Sequence, residues 1–257
     1  MCIYRVKKMK VNVLKSIENI AQMYENGVFG SKELPEDTNP HLAQDSEENA
    51  LYFTLPTALN YQRNSYSLWV SAKKTYLDES TNFLFNPKKV TESDFGTVQA
   101  ALTKYRLALQ QNKQTAIWCQ ICQTLNDNFA GSVLTLCHEN HDDVVQIRKY
   151  LQIDNKAGFP YLSGKKLCNY WLFVLDHYTS LQLKNVSKIS IAADRHVIKA
   201  SRKLGLITAE EENSSKKQEI VISAWFDLLK GTGYRPVDFQ TPIWFWGRSG
   251  CPAIINK

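Results

Sequence analysis

The chain has 257 residues, of which 44% are hydrophobic, 22% charged and 11% aromatic; that is enough for one large core or two lobes and too apolar for a disordered chain. Its 11 glycines and 8 prolines are too few for a turn-rich sandwich or barrel. No apolar run approaches the roughly 20 residues of a membrane span, and the first residues lack the apolar stretch of a signal peptide. The net charge is +6, and it is localised. Residues 159–206 carry Lys165, Lys166, Lys184, Lys188, Arg195, Lys199, Arg202 and Lys203 against Asp176 and Asp194, which alone equals the charge of the whole chain. Residues 31–50 hold one lysine against six acids. A basic segment beside a near-neutral remainder suits a polyanion-binding face; a solvated basic surface is the plainer reading of the same charge.

Along the chain, Val13, Ile17, Ile20 and Tyr24 predict a short helix, and 31–50 an exposed acidic connection with two prolines. Residues 1–50 are thus an N-terminal extension with an acidic linker, and 51–257 a helical domain. Leu51, Leu55, Leu59, Tyr66 and Trp69 mark one long helix, with Pro56 tolerable only near its start or at a kink. Helical spacing recurs at Val98, Ala101, Leu102, Tyr105 and Leu109, and again at Trp118, Ile121, Cys122, Leu125 and Phe129. It returns at Leu167, Tyr170, Trp171, Val174 and Tyr178, and at Ile222, Trp225, Phe226 and Leu229. Such stripes are helices burying one face. Between Leu181 and Ala193 the β-branched run predicts a short strand or an extended loop. Asp194 then stands at an N-cap position and Gly205 at a C-cap. The fold class is all-α, in two lobes.

The six cysteines are too dilute for a disulfide scaffold and read as reduced thiols in a cytoplasmic protein. Cys119 and Cys122 share an amphipathic helix and read as core thiols, while Cys137, His138 and His141 have ligand spacing but no partner cluster. No metal and no cofactor are expected. The tryptophans read as core, except that Trp244 and Trp246, flanking Phe245, suit a pocket wall.

Three segments carry chemistry. FPYLSGKKLCNYWLFVL (159–175) is a proline-led turn with Gly164 leading into an amphipathic helix, the pattern of a helix–hairpin–helix at 159–170. ISIAADRHVIKASRKLGL (189–206) sets one carboxylate at the mouth of a basic helix, and LPTALNYQRNSYSLW (55–69) carries a polar patch within a helical run. Together they resemble the helix-hairpin-helix DNA glycosylase superfamily, to which endonuclease III and the 8-oxoguanine glycosylases belong. The resemblance spans roughly 51–250 and is strongest over 159–206.

Gly164 matches the second hairpin glycine, which makes Lys166 the lysine of the strand-cleaving members. Asp194-Arg195-His196-Val197 matches the stretch holding the essential aspartate, and the polar patch matches the helix that places a glutamine, here Gln62, near the flipped base. The first hairpin glycine is replaced, 28 positions separate Lys166 from Asp194 where the family uses fewer, and the four-cysteine iron–sulfur loop is absent. The resemblance implies a two-lobed helical glycosylase fold with Asp194 and Lys166 catalytic, and with Asn60, Tyr61, Gln62 and Asn64 at the substrate. It implies DNA contacts from Leu162, Ser163, Gly164, Lys165, Arg195, His196, Lys199 and Arg202.

The chemistry gives its own reasons for these residue types. Breaking an N-glycosidic bond leaves a cationic sugar, which an ionised carboxylate stabilises. A helix N-terminus favours the ionised form of a carboxylate placed there. Amides at a hairpin hold phosphate. Lys166 fits either a Schiff-base nucleophile or a phosphate contact. The implied activity is release of a damaged or modified base, a hypermodified phage base included, from double-stranded DNA by a monomer of the cytoplasm or nucleoid, or of the nucleus in a eukaryote, with no membrane partner. The extra length between Lys166 and Asp194 favours base removal without obligatory strand cleavage. The rival readings are a non-catalytic hairpin DNA-binding protein and an N-glycosidase for a free modified nucleoside or nucleotide.

Overall fold

The computed structural model describes residues 2–60 and 62–255, with side chains of the first helix described from Lys10 onward. The described residues form thirteen α-helices and no β-strand. In order these are α1 (Cys2–Glu25), α2 (Glu47–Ala58), α3 (Ser65–Leu77), α4 (Pro87–Glu92) and α5 (Phe95–Lys104). Then come α6 (Gln111–Phe129), α7 (Val133–Glu139), α8 (Val144–Lys149) and α9 (Lys165–Tyr178). The last are α10 (Arg195–Lys203), α11 (Ala209–Asn213), α12 (Lys217–Leu229) and α13 (Gln240–Arg248). The all-α class predicted from periodicity is the observed one. None of the helices is long and apolar enough to cross a membrane among the described residues.

Most helix starts follow from a local capping rule. Ser46, Asn64, Asn86, Asp94, Ser132, Asp143, Asp194 and Thr208 each accept a backbone amide of the helix they precede, satisfying donors that a helix N-terminus leaves open. α6 and α9 begin without a side-chain cap.

The chain divides into two compact units, one of residues 1–32 and 187–257, the other of residues 33–186. The division does not fall at residue 50. In the discontinuous unit, α1 is no appendage: Val13, Ile17 and Ile20 join Val197, Ala200, Val221, Trp225, Ile243 and Trp246 in its buried core. α12 buries Val221, Trp225, Leu228 and Leu229, whereas Ile222 and Phe226, part of the predicted stripe, are only half-buried.

In the continuous unit, α2 is the central helix. Every residue from Asn49 to Ala58 is buried, as expected of a helix surrounded by others rather than lying on a surface. Its polar side chains are satisfied internally, with Thr54 and Thr57 donating to carbonyls one turn back and Trp171 Nε1 donating to Thr54 Oγ1 at 2.9 Å. Glu47 also reaches α7, accepting from Ser132 Oγ and from the amides of Val133 and Leu134.

Three expectations are corrected here. The single helix over 51–69 is two helices, broken at 59–64 by a loop in which Gln62 is left-handed (φ 51°); Pro56 lies in the last turn of α2. Leu109 lies beyond the end of α5 and is 46% exposed. The acidic connection is not wholly exposed, because Pro35, Glu36 and Asn39 are buried. Of the strand or extended loop expected over 181–193, the loop is observed, with a 3-10 turn at Val186–Lys188 and one isolated bridge between Lys184 and Asp143.

Candidate active site

Asp194 caps α10 as its position in the sequence predicts. Oδ1 accepts from the amides of His196 at 2.8 Å and Val197 at 2.9 Å. Gly205 closes the same helix in the left-handed region (φ 73°), its amide donating to Arg202 O and that of Leu206 to Ser201 O, the Schellman pattern. Two features had no local signal. Asp194 Oδ2 accepts a hydrogen bond from Trp244 Nε1 at 3.0 Å. Gln240, the first residue of α13, accepts the Ala192 amide at 2.6 Å, which ties the chain entering Asp194 to the helix that carries Trp244.

α13 comes this close because residue 247 is glycine. A Cβ there would lie 2.3 Å from the carbonyl oxygen of His196, so no side chain fits between the helices. Trp244 stands one turn before Gly247, on the same face. Around it, the His196 ring meets the indole edge-on at 5.8 Å between centroids, and the Arg248 guanidinium lies 5.3 Å above the indole. Arg195 Nε donates to His196 Nε2 at 3.2 Å, which assigns the neutral ring's proton to Nδ1. Burial holds the His196 pKa below the ordinary histidine value; Asp194 pulls it upward, and Arg195, Arg248 and Lys199 push it further down. Lys199 and Arg202 are exposed on α10, and Arg202 approaches Glu212 at 4.0 Å. The site in this unit is therefore a half-buried carboxylate beside a half-buried histidine whose titration Arg195, Lys199 and Arg248 also lower.

The remaining predicted residues lie in the continuous unit. The hairpin forms as a tight turn with Tyr161 left-handed (φ 63°). The amides of Leu162, Ser163 and Gly164 donate to the carbonyls of Pro160, Phe159 and Tyr161, each at 2.8 Å. They are committed to the turn, and the Leu162 and Ser163 side chains are buried. Beside the hairpin stand the first turn of α9, Lys165, which is exposed, and Lys166, which is half-buried. Gly164 leads directly into that helix as its N-cap residue.

The polar patch is brought to the same end of this unit. Gln114 accepts the amides of Leu109 and Gln110 and donates to Leu59 O at 3.0 Å. Arg63 donates to the carbonyls of Arg106 and Leu107. Tyr161 of the hairpin donates to Gln110 Oε1 at 3.3 Å, beneath Lys113, whose Nζ is 5.3 Å from the ring centre. The loop between α5 and α6 is thus the bridge between hairpin and patch, and sequence reasoning did not single it out. Within the patch Asn60 is buried, Gln62 exposed, and Asn64 caps α3 through the Ser67 amide at 3.1 Å; Tyr61 lies outside the described residues. Lys166 and Asp194 belong to different units.

Cys119, Cys122, Cys137, Cys168 and Cys251 are free thiols, and burial raises the pKa of each. His138 Nδ1 is engaged with Asp142 at 2.8 Å, and among the described residues no three His, Cys, Asp or Glu side chains converge as metal ligands. Trp69, Trp118, Trp171, Trp225 and Trp246 are fully buried, while Trp244 is half-buried. The expectation of a tryptophan outside the core therefore applies to residue 244 and is corrected for residue 246. No protein-family model and no curated protein matches the chain.

Proposed function

We propose that the protein is a DNA glycosylase with a two-lobed helix-hairpin-helix fold, which hydrolyses the N-glycosidic bond of a flipped-out damaged or modified base in duplex DNA and leaves an abasic site. The observation that carries this reading is the state of Asp194: half-buried, fixed by three N–H donors, and next to His196, whose titration Arg195, Lys199 and Arg248 also lower. An anion held this way stabilises a cationic sugar, and those cations suit flanking phosphates. The hairpin, the two lysines opening α9 and the loop carrying Gln62 support the same reading, in which extrahelical bases are read by polar and aromatic side chains. Lys166 supplies a phosphate contact or an amine nucleophile, and oxidised, alkylated, deaminated and hypermodified bases are all candidate substrates.

The rival reading, a DNA-binding module in which Asp194 is only a helix cap, draws on the two amide bonds to Oδ1. Asp194→Asn separates the two, because asparagine caps a helix as well as aspartate does but lacks the charge. A panel of duplexes, each with one altered base, is scored for abasic sites by alkaline cleavage. The glycosylase reading expects release from at least one duplex and a loss of roughly 10²-fold or more in the variant, with duplex affinity kept. Release by Asp194→Asn at the parental rate refutes it.

A further inference from the structure

We propose that Trp244 is a positioning residue for Asp194, its indole N–H fixing the carboxylate oxygen that acts on the sugar. The inference rests on the glycosylase reading and names a residue that reading does not require. Oδ1 of Asp194 accepts two backbone amides, which uses its accepting capacity. Oδ2 accepts the indole N–H at 3.0 Å and keeps a second lone pair, so Oδ2 is the oxygen able to face a developing cation or an attacking water. Its direction is set by Trp244.

The kind of donor matters. A lysine or arginine in that place would form an ion pair and cancel the field that stabilises the sugar. The indole N–H is neutral and restrains the oxygen without removing its charge. Arg248 lies over the indole face, 5.3 Å from the ring centre, where it holds the ring by a cation–π contact. His196 supports the ring edge-on, and the glycine contact at residue 247 fixes the spacing of α13 on α10. The other five tryptophans are buried in the cores, and Trp244 alone is half-exposed. A ring serving only as packing has no need of that position.

The test compares Trp244→Phe, which keeps a ring against His196 and Arg248, with replacement of Trp244 by 3-benzothienylalanine, which keeps the bicyclic shape and removes only the N–H. Single-turnover base release, duplex affinity and thermal midpoint are measured for both, beside Asp194→Asn. Loss of one hydrogen bond to a charged group is expected to slow release by roughly 10- to 100-fold, with duplex affinity changed by no more than about twofold. If Trp244→Phe fails to fold, the isosteric replacement decides. Parental rates in the folded variants, with Asp194→Asn inactive, overturn the role of Trp244 and leave the glycosylase reading standing. Parental release by Asp194→Asn, or no release from any duplex, removes the glycosylase reading itself and the inference with it.

Discussion

Glu36 sits in the short 3-10 turn Pro35–Asp37 and is only 3% exposed. Oε1 accepts the hydroxyl of Tyr170, which in turn accepts Trp69 Nε1 at 3.3 Å, while Oε2 is sealed from solvent with no partner. Burial dominates its titration and raises its pKa from 4.5 to about 7; the Tyr170 hydrogen bond works against this and the neighbouring Asp37 adds to it. Below pH 4.5 the carboxyl is protonated in both folded and unfolded chains and costs nothing. Between 4.5 and about 7 the unfolded chain releases the proton and the folded chain retains it, so stability falls as pH rises. Above that range both ionise, and the loss levels off at about 3 kcal/mol. Glu36→Gln keeps an acceptor for Tyr170 and removes the titration. Urea unfolding of parent and variant at a series of pH values from acid to alkaline, followed by far-ultraviolet circular dichroism, measures the difference directly. The two proteins are expected to diverge with rising pH, the variant becoming the more stable by about 3 kcal/mol. Parallel curves across that range would show that Glu36 is hydrated or ionised in the folded state, and the reasoning would fail.

Gly247→Ala places a methyl 2.3 Å from His196 O, a backbone atom that cannot swing aside; a loss of about 1–3 kcal/mol in unfolding free energy is expected, and an unchanged thermal midpoint would show that α13 shifts freely on α10. Duplex binding through Lys165, Lys166, Lys199, Arg202 and Lys203 displaces counterions, so raising salt from roughly 50 to 200 mM should weaken it by about tenfold or more. A flat salt profile would point to a free nucleoside or nucleotide substrate. Borohydride added during base release should trap no adduct that depends on Lys166, since water is the expected nucleophile; a strong trapped band lost in Lys166→Gln but kept in Lys165→Gln would establish an imine on that lysine.

What the sequence made legible was local in origin. The stripes of α6 and α9 repeat every turn, and the ends of α10 are written in Asp194 and Gly205, each acting within a few residues. What it hid was set from a distance. The break between α2 and α3 contains neither glycine nor proline, and its left-handed Gln62 is held in a loop that Gln114 and Arg63 bind to a segment 43 to 55 positions away. The burial of Glu36 inside an acidic run depends on Tyr170, 134 positions further on. For the candidate site, Asp194 was readable as a cap; its second oxygen was not, because the donor lies 50 positions downstream on another helix.

The interleaving of the two units along the chain sets an order of assembly. Residues 33–186 are contiguous, so a growing chain emerging N-terminus first has everything this unit needs well before synthesis reaches α10. The other unit lacks α13 until residues past 240 have been made, and until then α1 carries Val13, Ile17 and Ile20 without the core that covers them. Asp194 is therefore made before the helix that supplies its third donor, and the carboxylate acquires its full set of hydrogen bonds only when α13 has been made and docks on α10.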